Sequence, residues 1–219
     1  MQQHQQQRGL FITFEGSEGC GKTTQIRRLA QRFEKLARSV VLTREPGGTA
    51  IGEEIRHLLQ FSKASHAMAP EAELLLFTAS RAQLVREVIE PALRSGATVI
   101  ADRFLDSTTV YQGIARRLDP DAVEFINRFA VGACLPDITF VLDLDPDEAR
   151  KRLLRRPRPV GENADRMEQE PPDFYRAVRE GYLALAQREP DRVRVIDTTT
   201  AADEVEKTIW QHIERLLDK

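Results

Sequence analysis

With 219 residues, 41% hydrophobic and 30% charged, the chain is long enough to bury one substantial core. A net charge of -2 gives no overall attraction to nucleic acid, and no segment approaches the roughly 18 apolar residues of a membrane span. Cys20 and Cys134 are the only cysteines, and a disulfide at Cys20 would tie up a glycine-rich loop, so reduced thiols in the cytosol are expected.

The polar start, MQQHQQQRG, has no apolar signal core, so residues 1–8 are expected to form a disordered tail ahead of one domain over residues 9–219. Residues 10–14, LFITF, read as a short buried strand, and Ile26, Leu29, Ala30, Phe33, Leu36 and Ala37 then recur at helical spacing. Between them, Gly16, Ser17, Glu18, Gly19, Cys20, Gly21, Lys22 and Thr23 fit the pattern G-x-x-x-x-G-K-[ST]. Glycines let backbone N–H groups converge on phosphate oxygens, and the following helix N-terminus adds partial positive charge at the same place. A nucleotide site is therefore expected, with Lys22 on the β- and γ-phosphates, the Thr23 hydroxyl on Mg²⁺ and Thr24 beside it.

Four more apolar runs read as strands, at residues 40–43, 98–101, 138–144 and 193–196. Helical patterns separate them. Ile51, Ile55, Leu58 and Leu59 mark one helix, and a longer one carries Leu74, Leu75, Phe77, Leu84, Val85, Val88 and Ile89, with Pro91 expected to bend or end it. Asp119-Pro120 and Asp145-Pro146 each supply an N-cap and first-turn pair. Two further helices follow, on Tyr175, Val178, Tyr182 and Leu185, and on Val205, Ile209, Trp210, Ile213 and Leu216. Such alternation predicts an α/β fold: a five-stranded parallel sheet with helices on both faces.

Ligands of these sheets collect beyond the carboxyl ends of the strands. Strand one leads into the phosphate loop, strand two into Arg44-Glu45-Pro46-Gly47-Gly48-Thr49, strand three into Asp102-Arg103-Phe104, and strand five into Asp197-Thr198-Thr199. Asp102-Arg103 alone is equally a surface ion pair; beside a phosphate loop it suits an acid near Mg²⁺ and a cation for a phosphoryl group. Residues 150–158 hold six cations and no acid, either a solvated helix end or a lid that folds over a triphosphate.

With these marks, and with residues 76–81, Tyr111-Gln112-Gly113, residues 165–168 and Gly181-Tyr182-Leu183, the chain resembles the bacterial thymidylate kinase family of P-loop nucleoside monophosphate kinases from residue 10 to its end. The resemblance implies a three-layer P-loop fold with a short lid at about residues 150–170, transfer of the γ-phosphoryl group of ATP to dTMP with Mg²⁺, and a homodimer. It implies that Phe77 stacks on thymine while Arg81, Thr108 and Gln112 meet its polar edge, and that Tyr111 lies under the deoxyribose, where a 2′-hydroxyl would crowd it. On spacing alone, Phe77 is as well a core aromatic and Arg56 a helix-surface residue.

Arg44, Arg56 and Arg103 are implied to hold the acceptor's phosphate, with Glu18, Glu45 and Pro46 near the sugar and phosphates, and Thr23 and Asp102 near the metal. The family divides its catalytic arginine between loop and lid. This loop has none, so Arg156 or Arg158 is expected to supply it, Arg155 standing behind them, while Arg152 resembles the residue that flanks adenine. Two rival readings fit the residues less well. A deoxynucleoside kinase needs a carboxylate base for a sugar hydroxyl, and a P-loop switch needs an N-K-x-D motif that is absent.

Overall fold

The computed structural model of the chain describes residues 8–155 and 166–217. Five strands, β1 (Phe11–Glu15), β2 (Val40–Arg44), β3 (Thr98–Asp102), β4 (Ile138–Asp143) and β5 (Val193–Asp197), form one parallel sheet in the order β2-β3-β1-β4-β5. The helices are α1 (Lys22–Lys35), α2 (Ala50–Gln60), α3 (Pro70–Leu84), α4 (Glu90–Arg94), α5 (Leu105–Thr108), α6 (Pro120–Val131), α7 (Pro146–Arg155), α8 (Pro172–Arg188) and α9 (Ala202–Leu217).

Strands buried on both faces need helices on both. Ile12 and Phe14 of β1, with Ile100, Phe140 and Ile196, pack under Leu29 and Phe33 of α1 and Ile209 and Trp210 of α9. The alternate residues Phe11, Val99 and Ala101 meet Leu84, Ile89, Leu93 and Val131 on the opposite face, and Val141 and Val193 meet Phe174, Val178 and Tyr182 of α8. The register sets Phe14 beside Asp102 and Asp102 beside Arg44, so the ends of β2, β3 and β1 finish level with β3 in the middle.

Pro91 neither ends nor breaks its helix. Between α3 and α4 the chain makes a π-helical turn, Val85–Ile89, with helical backbone angles at both junctions. A wider turn accommodates a residue that has no N–H and whose ring crowds the preceding carbonyls. A second π-helical segment, Thr109–Ala115, extends α5. The tail expected over residues 1–8 falls almost wholly outside the described residues; Arg8, however, is anchored by Asp137, with Nη1 2.9 and 2.8 Å from the two carboxylate oxygens.

Asp106 of α5 is fully buried and accepts from Arg192 at 2.7 and 2.9 Å and from Thr139 Oγ1 at 3.1 Å, which joins α5 to β4 and to the start of β5. Removing one partner of such a pair leaves a charge in a dry site. Arg192→Met is therefore expected to lower stability by about 3 kcal/mol, read as a fall in the urea midpoint at unchanged m-value.

Candidate functional site

One cleft of about 750 Å³ opens at the carboxyl ends of β1, β2 and β3, a size that suits small-molecule ligands. Its floor is the loop of residues 16–23. Gly19 and Gly21 hold φ of 78° and 100°, the left-handed region that favours glycine, and a Cβ on Gly19 would stand 2.6 Å from the Ala149 carbonyl oxygen. The N–H groups of Gly19, Gly21, Lys22 and Thr23 find no acceptor among the described residues and lie at the N-terminus of α1, an arrangement made for anionic oxygens.

Lys22 donates from Nζ to Gly16 O at 3.0 Å and Ser17 O at 2.8 Å, which aims it along the loop. Burial and Arg103 pull its pKa down, but Cys20, Glu18 and Asp102 outweigh them, so the ammonium stays charged. Thr23 and Asp102 both line the cleft, the Asp102 carboxylate near enough to Lys22 to favour its charged form. A hydroxyl and a carboxylate are hard oxygen donors of the kind that hold Mg²⁺ together with waters.

Arg103 follows β3 in a left-handed conformation, φ 70°, fixed from both sides: its N–H donates to Phe14 O at 2.9 Å and that of Phe104 to Glu15 Oε1 at 2.8 Å. Its guanidinium then lies 5.0 Å over the Tyr111 ring, donates to Glu18 Oε1 at 2.9 Å and reaches Ser107 Oγ at 3.3 Å. Arg44 is held by Glu53 at 2.9 Å, and Arg56 donates to Pro46 O at 3.1 Å. Three guanidinium groups thus border the middle of the cleft, each already oriented by a protein oxygen.

The far wall is Phe77 from α3 with Thr108, Tyr111 and Gln112 from α5 and its extension. Thr108 Oγ1 and the Tyr111 hydroxyl are buried without a hydrogen-bond partner among the described residues. Unpaired buried polar atoms cost about 1–3 kcal/mol each, so a wall that retains two of them suits a ligand with polar edges.

Arg81 does not join this wall. It is 1% exposed and its guanidinium donates to Glu45, Asn127 Oδ1 and Phe104 O, because a cation at that depth needs a counter-charge, here the Glu45 carboxylate at 2.6 Å. Gly16, Ser17 and Cys20 lie beneath the surface of the loop, while Glu18, Thr24, Glu45 and Pro46 line the cleft. On the nucleotide side Arg152 donates to Thr198 O at 2.9 Å, tying α7 to the segment after β5. Arg156 and Arg158 fall outside the described residues. Arg27, Gln60, Phe61, Ser107 and Leu153 also line the cleft, and none of them stands out from its helical or loop context in the sequence.

The model of the thymidylate kinase family matches residues 14–209. A thymidylate kinase of Pelotomaculum thermopropionicum is 46% identical over 96% of this chain and 95% of its own length, and one of Desulfosudis oleivorans is 48% identical over 95% and 98%. The crystal structure of thymidylate kinase from Ehrlichia chaffeensis superposes with a TM-score of 0.74 at 33% identity, covering 94% of this chain and 99% of that one.

Within the cleft, burial would raise the pKa of Glu18, but Arg103 and Lys22 hold it down at about 2 against a usual 4.5. A depressed carboxyl pKa contributes stability that is complete above the unfolded value and is lost as pH falls through the folded one. The difference in melting temperature between the wild type and Glu18→Gln is therefore expected to be flat from about pH 8 to 5 and to shrink steadily toward pH 2, as followed by circular dichroism.

Proposed function

The chain belongs to the thymidylate kinase family, and from that premise we propose that this cleft holds ATP on the loop of residues 16–23 and dTMP against Phe77, and transfers the γ-phosphoryl group to give dTDP and ADP. The observation that carries the reading is one continuous cleft with free amide donors at one end, orphaned polar atoms at the other, and arginines between.

Phosphoryl transfer needs positioning and charge neutralisation more than covalent chemistry, so the acceptor phosphate is itself the nucleophile. Arg44, Arg56 and Arg103 present planar forks to that phosphate, and dissociation of Arg103 from Glu18 or Arg44 from Glu53 frees each fork for a doubly charged ligand. Lys22 holds the β- and γ-oxygens. The Thr23 hydroxyl and the Asp102 carboxylate would hold Mg²⁺, directly or through water, and the ion would supply neutralisation of phosphate charge. The remaining cation for the transferred phosphoryl group is assigned to Arg156 or Arg158, outside the described residues, in a lid at about residues 150–170 of a single domain over residues 9–219. Arg152 flanks the adenine, and Tyr111 discriminates against ribose.

Two further readings accompany this one. The two cysteines are free and buried, and among the described residues no helix is long and apolar enough to cross a membrane, which supports a cytosolic enzyme. Leu75 of α3 and Phe125 and Phe129 of α6 are exposed by 55%, 72% and 81% on helices packed against one another, which supports a twofold dimer through this face.

Incubation with Mg-ATP and dTMP, thymidine or no acceptor tests the assignment: ADP is expected with dTMP alone, ADP with thymidine would make it a nucleoside kinase, and ADP without acceptor a simple nucleotidase. Lys22→Ala should lower kcat by at least about 100-fold while the protein stays folded by circular dichroism, the scale set by loss of a preorganised transition-state donor. Phe129→Glu should turn a dimer into a monomer by light scattering at micromolar concentration, and a wild-type monomer of full activity would remove the dimer.

A further inference from the structure

Glu73 sits in the first turn of α3 with its side chain 1% exposed, behind the wall against which dTMP is placed. Its Oε1 accepts from Gln112 Nε2 at 2.7 Å and from Arg116 Nε at 3.3 Å; its Oε2 accepts from Arg116 Nη2 at 3.3 Å and from Arg166 Nη2. Burial works against the charged form, but the hydrogen bond from Gln112 and the charges of Arg116 and Arg166 outweigh it and hold the carboxyl low. Glu73 is thus an ionised, acceptor-only group.

That settles which way the Gln112 amide points. The two ends of a glutamine amide are interchangeable in shape but opposite in chemistry, and a carboxylate accepts only from the NH₂ end. Gln112 lines the cleft, and with its nitrogen on Glu73 its Oε1, which has no partner among the described residues, is left as the group offered there. An acceptor on that wall pairs with a pyrimidine that carries N3–H, as thymine and uracil do. Cytosine would set the N3 lone pair against it.

We infer that Glu73 is a positioning residue for base selection: by fixing the Gln112 amide it makes this part of the wall an obligate acceptor, which admits a base with N3–H and rejects one with a lone pair there. The inference rests on the reading above, in which Gln112 faces the base. Nothing in it requires Glu73 to touch the substrate.

In Glu73→Gln the residue at 73 offers Gln112 either an oxygen or an NH₂ group, so the Gln112 amide is free to turn over. The ratio of kcat/KM for dTMP to that for dCMP, with Mg-ATP, is expected to fall about tenfold, mainly through the KM for dTMP, as when one buried polar group loses its correct partner. Adding Gln112→Glu to Glu73→Gln moves the carboxylate one position along: one oxygen accepts from the new amide at 73 and the other faces the base. This double variant should regain the preference for dTMP, a rescue that a purely structural role for Glu73 does not give. If Glu73→Gln fails to fold, Glu73→Asp carries the same expectation, since it keeps a charge for Arg116 and Arg166 while withdrawing it from Gln112. Wild-type discrimination in the folded Glu73 variant, together with lost discrimination in Gln112→Ala, would overturn the inference alone. Unchanged discrimination in Gln112→Ala would overturn the placement of the base itself.

Discussion

The cleft depends on one buried carboxylate at the end of the central strand. Glu15 has no exposed surface, and it accepts from Phe104 N–H at 2.8 Å, Ser107 Oγ at 2.6 Å and Tyr182 OH at 2.6 Å. A buried carboxylate without donors is costly, so the turn after β3, the start of α5 and the middle of α8 must converge on it together. That convergence holds Arg103 in its left-handed conformation, and the same turn brings its guanidinium onto Glu18 and over Tyr111. The phosphate loop begins at the very next residue. One acid thereby fixes the spacing between the loop and the wall opposite, at a distance in sequence of 89 residues to Phe104 and 167 to Tyr182.

Paired charges in this protein fall into two tiers with different tasks. Arg81 with Glu45, Arg192 with Asp106, and Glu73 with Arg116 and Arg166 are buried pairs that hold elements in place; removing either partner leaves an uncompensated charge. Arg44 with Glu53 and Arg103 with Glu18 are more open, their carboxylates 44% and 37% exposed. In these the carboxylate orients a guanidinium where solvent screens the pair, so each is held less firmly than the buried pairs. Depth separates scaffold from binding surface here, since both tiers use the same residue types.

The parts of this protein legible in the sequence are those whose cause is local. Each strand is an apolar run, the phosphate loop is a contiguous pattern, and Asp119 caps α6 through its own side chain to Ala122 N–H at 2.8 Å. What escaped the sequence has a partner far away or a conformation without a composition signal. Glu73, Asp106 and Glu15 look like ordinary acids beside apolar residues, because their donors lie tens of residues distant. Arg81 has the residue type and position of a base-reading group, yet its depth and its tie to Glu45 follow only from packing. At Pro91 the sequence shows a helix breaker, and only the π-helical turn before it reveals how the helix passes through.

Helix α3 explains why its apolar pattern is too broad for a helix resting on one surface. Leu74 and Leu84 are buried, Phe77 lines the cleft one turn from Leu74, and Leu75 is 55% exposed. A helix with a single buried face shows an apolar stripe roughly 100° wide and a polar remainder. Here one stripe, Leu74, Phe77, Arg81 and Leu84, turns to the fold interior and the cleft wall, while Leu75 carries a second, exposed apolar position. Two of its polar residues, Glu73 on Gln112 and Arg81 on Glu45, are buried and position their neighbours. Phe77 therefore stands on a helix that Glu73 and Arg81 tie, one turn to either side of it, to Gln112, Arg116, Glu45 and Asn127, and the position of the wall follows from those ties.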